Sequence, residues 1–479
     1  MARIARGGRP AHAHRTGRSA RARYARRMSL VGPPPPAITN PVARVAEDLR
    51  IERRTPVPFP PGRTSVSPAR SFRFIREPLP ELLAAYGRFG PVFSLRVFHQ
   101  NVVFVLGPEA NHHVLVSHAQ NFSWREGHLS DLMPLLGDGL LTIDGAFHRR
   151  SRRIMLPAFH QERIRASHAV MEQETARGLA TLGPGEHDLY GWTREVALRI
   201  AMRTLFGIDP DRPGARVDAG AEFERALAFY SRDYVLQMLR GPGTPFARMQ
   251  GARRRLDAVV FAEIDRRSRA DDPGDDLLGM LVAARDEDGS RLSREHVRDE
   301  VITLLFAGHD TTTSTVAFLL HELARHPELQ DRAAGSASEL DLALDETLRL
   351  YPPAWVGPRR SVEPFELCGV RVPGGVPVNY CSWASHRLPD VWDEPGRFDP
   401  QRFAPGRRER IPRGAYVPFG DGSRKCIGMR FGQAEIAVIA GALLERFRFA
   451  PVPGHVVRIR QMPTLTPRDG MPLRLTSRA

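Results

Sequence analysis

Cysteine is scarce in this chain: three residues in 479, at positions 368, 381 and 426. That scarcity excludes a disulfide framework and a four-cysteine metal site, and it fits a reducing compartment, so a cytoplasmic location is expected. Long apolar runs are missing too. No stretch reaches the roughly 18 uninterrupted apolar residues that a membrane-spanning helix needs, so the chain should be soluble, without a transmembrane anchor. No internal repeat is visible. Acidic residues are absent before Glu47, whereas nine arginines precede Met28. The formal charge of +15 is therefore largely that of a tail. "MARIARGGRPAHAHRTGRSARARYARR" lacks hydrophobic periodicity and is expected to be disordered. It fits an organellar transit peptide, a nucleic-acid-binding arm, or translation that begins at Met28 and leaves it without a role. Function is expected elsewhere, with no nucleic-acid partner.

What is present is mostly helical pattern. "VGPPPPAITNP" and "TPVPFPPGRTSVSP" are proline-rich leads, so the fold is expected to begin near residue 70, with residues 1–40 a tail and 41–479 one domain. "EPLPELLAAYGRFG" predicts a short helix ended by glycine, and "PVFSLRVF" with "NVVFVLG" a hairpin. From about 160 to 325 helices dominate, interrupted by Gly- and Pro-rich turns. After 365, "FELCGVRVPGGVPVNY" predicts strands around a Gly-Gly turn and "RIRQMPTLTPRDGMPLRL" a terminal hairpin. The expected fold class is mainly α with small β-sheets.

The longest helix is predicted from Arg294 to Arg325, after Ser293 as N-cap. At about 1.5 Å per residue it spans roughly 48 Å. Its centre, "AGHDTTTST", opposes helix propensity through Gly308 and four threonines. Gly308 and Thr311 share a face beside Ala307, giving a notch with a hydroxyl at its rim and Asp310 next to it. A kinked core helix would account for the same residues. In "DETLRLYPP", Glu346 and Arg349 stand three apart, a spacing that permits an ion pair, ordinarily a solvated one of little value.

"FGDGSRKCIG" carries more information. Its glycines remove side chains and let backbone N–H groups turn toward Cys426. Arg424, Lys425 and the N-terminus of the following helix add positive potential that favours a thiolate. Such a thiolate serves as a nucleophile, a redox thiol or a metal ligand, and as a soft donor it is a strong ligand for iron.

Taken together these residues resemble the cytochrome P450 family, the haem-thiolate monooxygenases. Phe419, Gly420, Gly422, Arg424, Cys426 and Gly428 fill that family's Phe-x-x-Gly-x-Arg-x-Cys-x-Gly signature. "AGHDTT" is similar to its oxygen-activating helix, "ETLR" to its Glu-x-x-Arg helix and "FDPQRF" to the loop that completes a salt-bridge triad. The resemblance runs from about 70 to 475. It implies the P450 fold, a large helical region with a smaller β-rich one, and haem b (iron protoporphyrin IX). It also implies Cys426 as axial ligand, Phe419 beside the sulfur, Arg424 on a propionate and Glu346, Arg349 and Arg402 as the triad. "HRRSRRIMLPAF" is matched less closely and assigns propionate contacts to His148 and Arg152. Arg359 falls where another is expected, with Arg360 its competitor.

The implied reaction is hydroxylation of a C–H bond of an apolar small molecule by O₂, with Asp310 and Thr311 delivering protons. Electrons are expected from a ferredoxin or flavodoxin and its NAD(P)H-dependent reductase. Arg407, Arg408, Arg410, Arg413, Lys425 and Arg430 would steer such an acidic partner to the cysteine face. Apolar stretches at 124–142, 223–239, 354–357 and 462–466 are expected to line the substrate side, suiting a terpenoid, fatty acid or polyketide.

Overall fold

In a computed structural model, the described residues are 38–209, 211, 218–285, 289 and 291–478. The arginine tail lies outside them. Folded structure begins earlier than the proline content implies. Pro41–Arg54 is a helix, capped by Asn40, whose Oδ1 accepts from Val42 N at 2.9 Å and Ala43 N at 3.2 Å. Proline at the first helical position costs nothing there, because its missing N–H would have had no partner. The prolines flanking this helix concealed it.

Pro78–Phe89 is helical and stops at Gly90, whose φ of 83° is left-handed. Val92–Val97 and Gln100–Val105 form the predicted hairpin, with Phe93 opposite Phe104. The hairpin belongs to a six-stranded sheet in the order 62–63, 92–97, 100–105, 377–380, 357–361, 122–123. Two sequence expectations are corrected here. Phe365–Leu367 pairs with Val370–Val372 about Cys368 and Gly369, both left-handed at φ 49° and 72°, rather than about the Gly-Gly turn. Pro377–Tyr380 leaves that ribbon to run parallel to Gln100–Val105. At the C-terminus Ile459–Arg460 pairs with Thr466–Pro467, but Pro472–Ser477 joins Phe447–Pro451 and Gly185–Asp188 instead.

The long helix occupies Arg294–Arg325 as predicted, with Ser293 Oγ accepting from His296 N at 3.1 Å. It is buried nearly all round, as a helix through the centre of a large domain must be, although Arg298, Glu300, His309, Asp310 and several threonines are among its buried residues. Leu189–Phe206 and the C-terminal helix Met429–Arg446 pack on it, as does Ala337–Leu350. No helix among the described residues is long and apolar enough to cross a membrane.

Candidate functional site

Between Glu300 and Leu320 every residue of the long helix is buried except Ala307, Gly308 and Thr311. The three form the predicted notch. A Cβ built on Gly308 would meet nothing within 4 Å. Thr311 Oγ1 donates back to Ala307 O at 2.6 Å, a bond that satisfies the hydroxyl locally and loosens the helix at that turn. Asp310 does not face the notch. Its Oδ1 lies 3.2 Å from Arg194 of Leu189–Phe206, and its Oδ2 accepts from Thr464. Arg194 is shared, donating to both oxygens of Glu224 through Nε at 2.9 Å. His309 completes the cluster, with Nε2 3.0 Å from Arg194 O and 3.2 Å from Glu224 Oε1. Burial pushes the His309 imidazole down to about 4, so it is neutral at pH 7.

The cysteine loop folds back on itself through Cys426 N, which donates to Phe419 O at 2.9 Å. Gly420 and Gly422 both adopt φ of 65°. At Gly422 a Cβ would come within 2.2 Å of Leu115 O, so glycine is needed for space as well as for conformation. Cys426 is exposed on the loop, yet the protein packed around it desolvates the sulfur and raises its thiol above the ordinary range, opposed by the Gly428 N–H and by the charges of Arg152 and Lys425. Arg424, expected to favour the thiolate, instead turns to Asp144 at 2.7 Å.

That turn places Arg424 on a cavity of about 200 Å³, lined also by Trp124, Asp144, His148, Arg149 and Arg359. Asp144 organises its rim. Besides Arg424 its carboxylate accepts from Ser123 Oγ at 2.6 Å and from the backbone N–H groups of Trp124 and Arg125 at 3.1 Å each. Arg359 and Arg360 are neighbours on strand Gly357–Ser361, so alternation sends them to opposite faces. Arg359 lies 3.5 Å above the Trp124 ring and 5.4 Å from that of Tyr380. Among the described residues no carboxylate pairs with it, and burial pushes its guanidinium down to about 10. Arg360 reaches the other way, to Asp48, Glu126 O and Gly375 O. Of the two, only Arg359 serves the cavity. Burial, with the Arg424 and Arg152 charges, holds His148 neutral, down to about 2. Arg152 does not line the cavity; it donates to Lys425 O at 2.7 Å and so braces the cysteine loop.

A fully buried, aromatic-stacked arginine beside a second arginine and a neutral histidine suits a ligand that brings its own carboxylates. Cys426, a soft donor two residues from Arg424, suits iron. The residues therefore fit a haem with its propionates.

The Glu346 cluster is built as expected and is no surface pair. Arg349 donates to both Glu346 oxygens at 2.7 Å, and to the carbonyls of His386, Pro395 and Arg397 at 2.8–3.0 Å. Both side chains are fully buried. Arg402 is the looser third member, 3.4 Å from Glu346. Of the basic cluster, Arg407 and Arg408 pair with Asp399 and Asp345, while Arg410, Arg413, Lys425 and Arg430 are exposed. Sequence reasoning missed Arg194, Thr464, Tyr380 and Asp144. Asp144 left a signal, an acid directly before the helix carrying His148; the others left none, because Arg194 and Thr464 meet Asp310 from more than a hundred residues away and Tyr380 meets Arg359 only through strand pairing.

The Cytochrome P450 family model matches residues 71–335 and 339–471. Cyclooctat-9-en-7-ol 5-monooxygenase of Streptomyces melanosporofaciens is 33% identical over 405 residues, covering 79% of this chain and 86% of that protein. Pentalenene oxygenase of Streptomyces avermitilis is 32% identical over 369 residues, covering 72% and 81%. Among solved structures, retinoic-acid-bound cyanobacterial CYP120A1 superposes with a TM-score of 0.78 at 27% identity, covering 88% of this chain and 100% of that one.

Proposed function

For a chain that belongs to the cytochrome P450 family, and is therefore a haem-dependent monooxygenase of the P450 fold, we propose hydroxylation of a polycyclic terpenoid hydrocarbon or its alcohol. We assign Cys426 as the axial ligand and Arg359, Arg424 and His148 as the propionate contacts. The observation that carries the site is Arg359, buried on the cavity that Arg424 and His148 share and paired with no carboxylate among the described residues. The names of the two Streptomyces relatives, an unsaturated cyclic alcohol and pentalenene, support the substrate class, as does the apolar composition of stretches 124–142, 223–239, 354–357 and 462–466. The haem, when bound, supplies the O₂ chemistry that inserts one oxygen atom into a C–H bond.

The chain's own part is positioning and protons. Gly308 and Ala307 leave open space beside the long helix where substrate would sit, and Thr311 presents a hydroxyl at the edge of that space. Asp310, held away from the notch by Arg194 and Thr464, takes protons from the side of the solvent-reaching Arg194–Glu224 pair. Rotation of its carboxylate toward Thr311 then hands them inward, general-acid work over hydrogen-bonding distance. Electrons come from a ferredoxin or flavodoxin, reduced by its NAD(P)H-dependent reductase. The exposed Arg410, Arg413, Lys425 and Arg430 support docking of an acidic partner next to Cys426. Residues 41–479 act as one catalytic domain, and a reducing compartment such as the cytoplasm suits three unpaired cysteines.

Two measurements test this reading. Reduced protein with CO should give the thiolate-haem absorption band, and Cys426→His should lose it; a mutant that keeps the band refutes the ligand assignment. Lys425 is the chain's single lysine, so carbodiimide coupling to the carboxylates of a [2Fe–2S] ferredoxin has one ε-amine to find. Cross-links confined to the terminal amine would refute docking on this face.

A further inference from the structure

The helix Pro41–Arg54 precedes the matched family region, which begins at residue 71, yet it is fastened to the wall of the site. Three of its side chains, spaced one turn apart, reach the body of the fold. Glu52 accepts from Arg96 at 2.6 Å and from Asn101 N and Nδ2 at 3.1 and 3.0 Å. Asp48, buried, meets Arg360 and sits 3.1 Å from His99 Nε2. Arg44 makes the third contact, donating through Nη1 to Ser130 Oγ at 2.9 Å and through Nη2 to Glu126 O at 2.9 Å and Gly127 O at 3.1 Å.

The loop that Arg44 grips is the one whose inner side forms the cavity. Trp124, two residues before Glu126, covers Arg359 and lies 4.9 Å from the Arg424 guanidinium. Glu126 O accepts from Arg360 Nε at 2.9 Å as well as from Arg44, so two cations share one carbonyl. At Gly127 a Cβ would come within 2.9 Å of Pro358 O and 3.0 Å of Arg359 Cα, so the loop lies hard against the strand that carries Arg359. Inside, Asp144 holds the same loop through Trp124 N and Arg125 N. The loop is therefore clamped from both faces. The inner clamp uses residues within the family match, and the outer one uses a helix beyond it.

We propose that this N-terminal helix is a strap that positions loop 123–130, with Arg44 its positioning residue, and that it limits entry of bulky ligands past that loop. Arg44 donates to three neutral acceptors, and the carboxylate it pairs with, Asp48, is 3.9 Å away. A pair serving stability alone would place the cation on the carboxylate; here the cation is aimed at loop carbonyls. Glutamine at 44 cannot span Ser130, Glu126 and Gly127 together, so the loop loses its outer clamp while Asp48 and Glu52 still hold the helix.

The proposal rests on the haem assignment above, and its test separates the two. Imidazole and 4-phenylimidazole are the probes, each followed by the absorption shift when it binds the haem of the holoprotein. Absence of any shift in the unmodified protein would overturn the haem reading itself. The measured quantity is the ratio of the bulky to the small azole's association rate. Loss of hydrogen bonds from a charged donor should raise that ratio by about tenfold in Arg44→Gln. Ser130→Ala, which removes the Arg44 bond together with the loop's own Ser130 Oγ to Gly127 O bond at 2.8 Å and spares the helix, should raise it by about threefold and decides the question if Arg44→Gln does not fold. Glu47→Gln, on the same helix but bonded among the described residues to exposed Arg50 alone, is the control and should leave the ratio unchanged. A ratio that stays within about twofold in both test variants, whatever their melting temperatures, overturns the strap.

Discussion

Glu435 makes the thermodynamics of this fold testable at one atom. It lies on the C-terminal helix that follows Cys426, fully enclosed, and accepts one bond, from Thr312 Oγ1 of the long helix at 3.0 Å. Its other oxygen has no partner among the described residues. Burial pushes the carboxyl from an ordinary 4.5 up to about 8, with the Thr312 bond pulling the other way. The folded chain thus keeps a proton that the unfolded chain has released between those values, and stability falls as pH rises through the interval. The slope is about 1.36 kcal/mol per pH unit for each such group. Below about pH 6.5 the buried histidines act in the opposite sense. His148, His296, His309 and His386, all pushed down by burial, refuse protons that the unfolded chain accepts. From 6.5 to 8 each imidazole still returns about 0.4 kcal/mol, equally in parent and variant, so the difference between the two isolates the substituted carboxyl. Glu300, raised to about 8 by burial in the same way, contributes a similar slope. Each carboxyl should lower stability by about 2 kcal/mol across the window. Glu435→Gln keeps a neutral acceptor for Thr312 and removes the titration, so its change in stability across the window should be less negative than the parent's by about 2 kcal/mol. Urea unfolding of the holoprotein at pH 6.5 and 8.0 measures this, with tryptophan fluorescence and haem absorbance required to coincide. A variant that declines as steeply as the parent refutes the reasoning.

Arg349→Ala strands the Glu346 carboxylate and three carbonyls in the interior, a loss of about 3–5 kcal/mol. That is a large share of a stability of roughly 5–15 kcal/mol, so haem-loaded protein should nearly vanish; a denaturation midpoint shift worth under about 1 kcal/mol would contradict it. Gly422→Ala forces a left-handed residue and a backbone clash with Leu115 O, and should cost at least about 1–2 kcal/mol with faster haem release, read by thermal melting and transfer to apomyoglobin. Asp310→Asn should cut hydroxylated product by about 10²-fold and divert electrons to hydrogen peroxide, while the CO band stays in place. Unchanged product per NADPH would remove Asp310 from the proton route.

Much of the site is local in sequence, and that is why it was legible. The helix Arg294–Arg325, its Ser293 cap and its notch follow from propensity and spacing within a few turns. The loop from Phe419 to Cys426 is closed by one backbone bond between its own ends, so its glycines and its sulfur could be read together. The Glu346–Arg349 spacing was equally visible, but nothing local distinguished a buried pair from a solvated one. Burial is a property of what packs above, here the carbonyls of residues 386, 395 and 397.

The sequence by itself determined the residue types of the chemistry and the helices and turns that carry them, because those depend on interactions spanning a few residues. Tertiary structure alone decided partnership and direction. It chose Arg359 over Arg360 through strand register and sent Arg424 to Asp144 rather than to the sulfur. It placed Asp310 against Arg194 and Thr464, which are distant along the chain. It also recruited the helix Pro41–Arg54, hidden between prolines, as the outer fastening of the cavity wall. Charges of one type are interchangeable in a sequence; which of them faces which acceptor is settled only when packing removes the water that would otherwise serve them all equally.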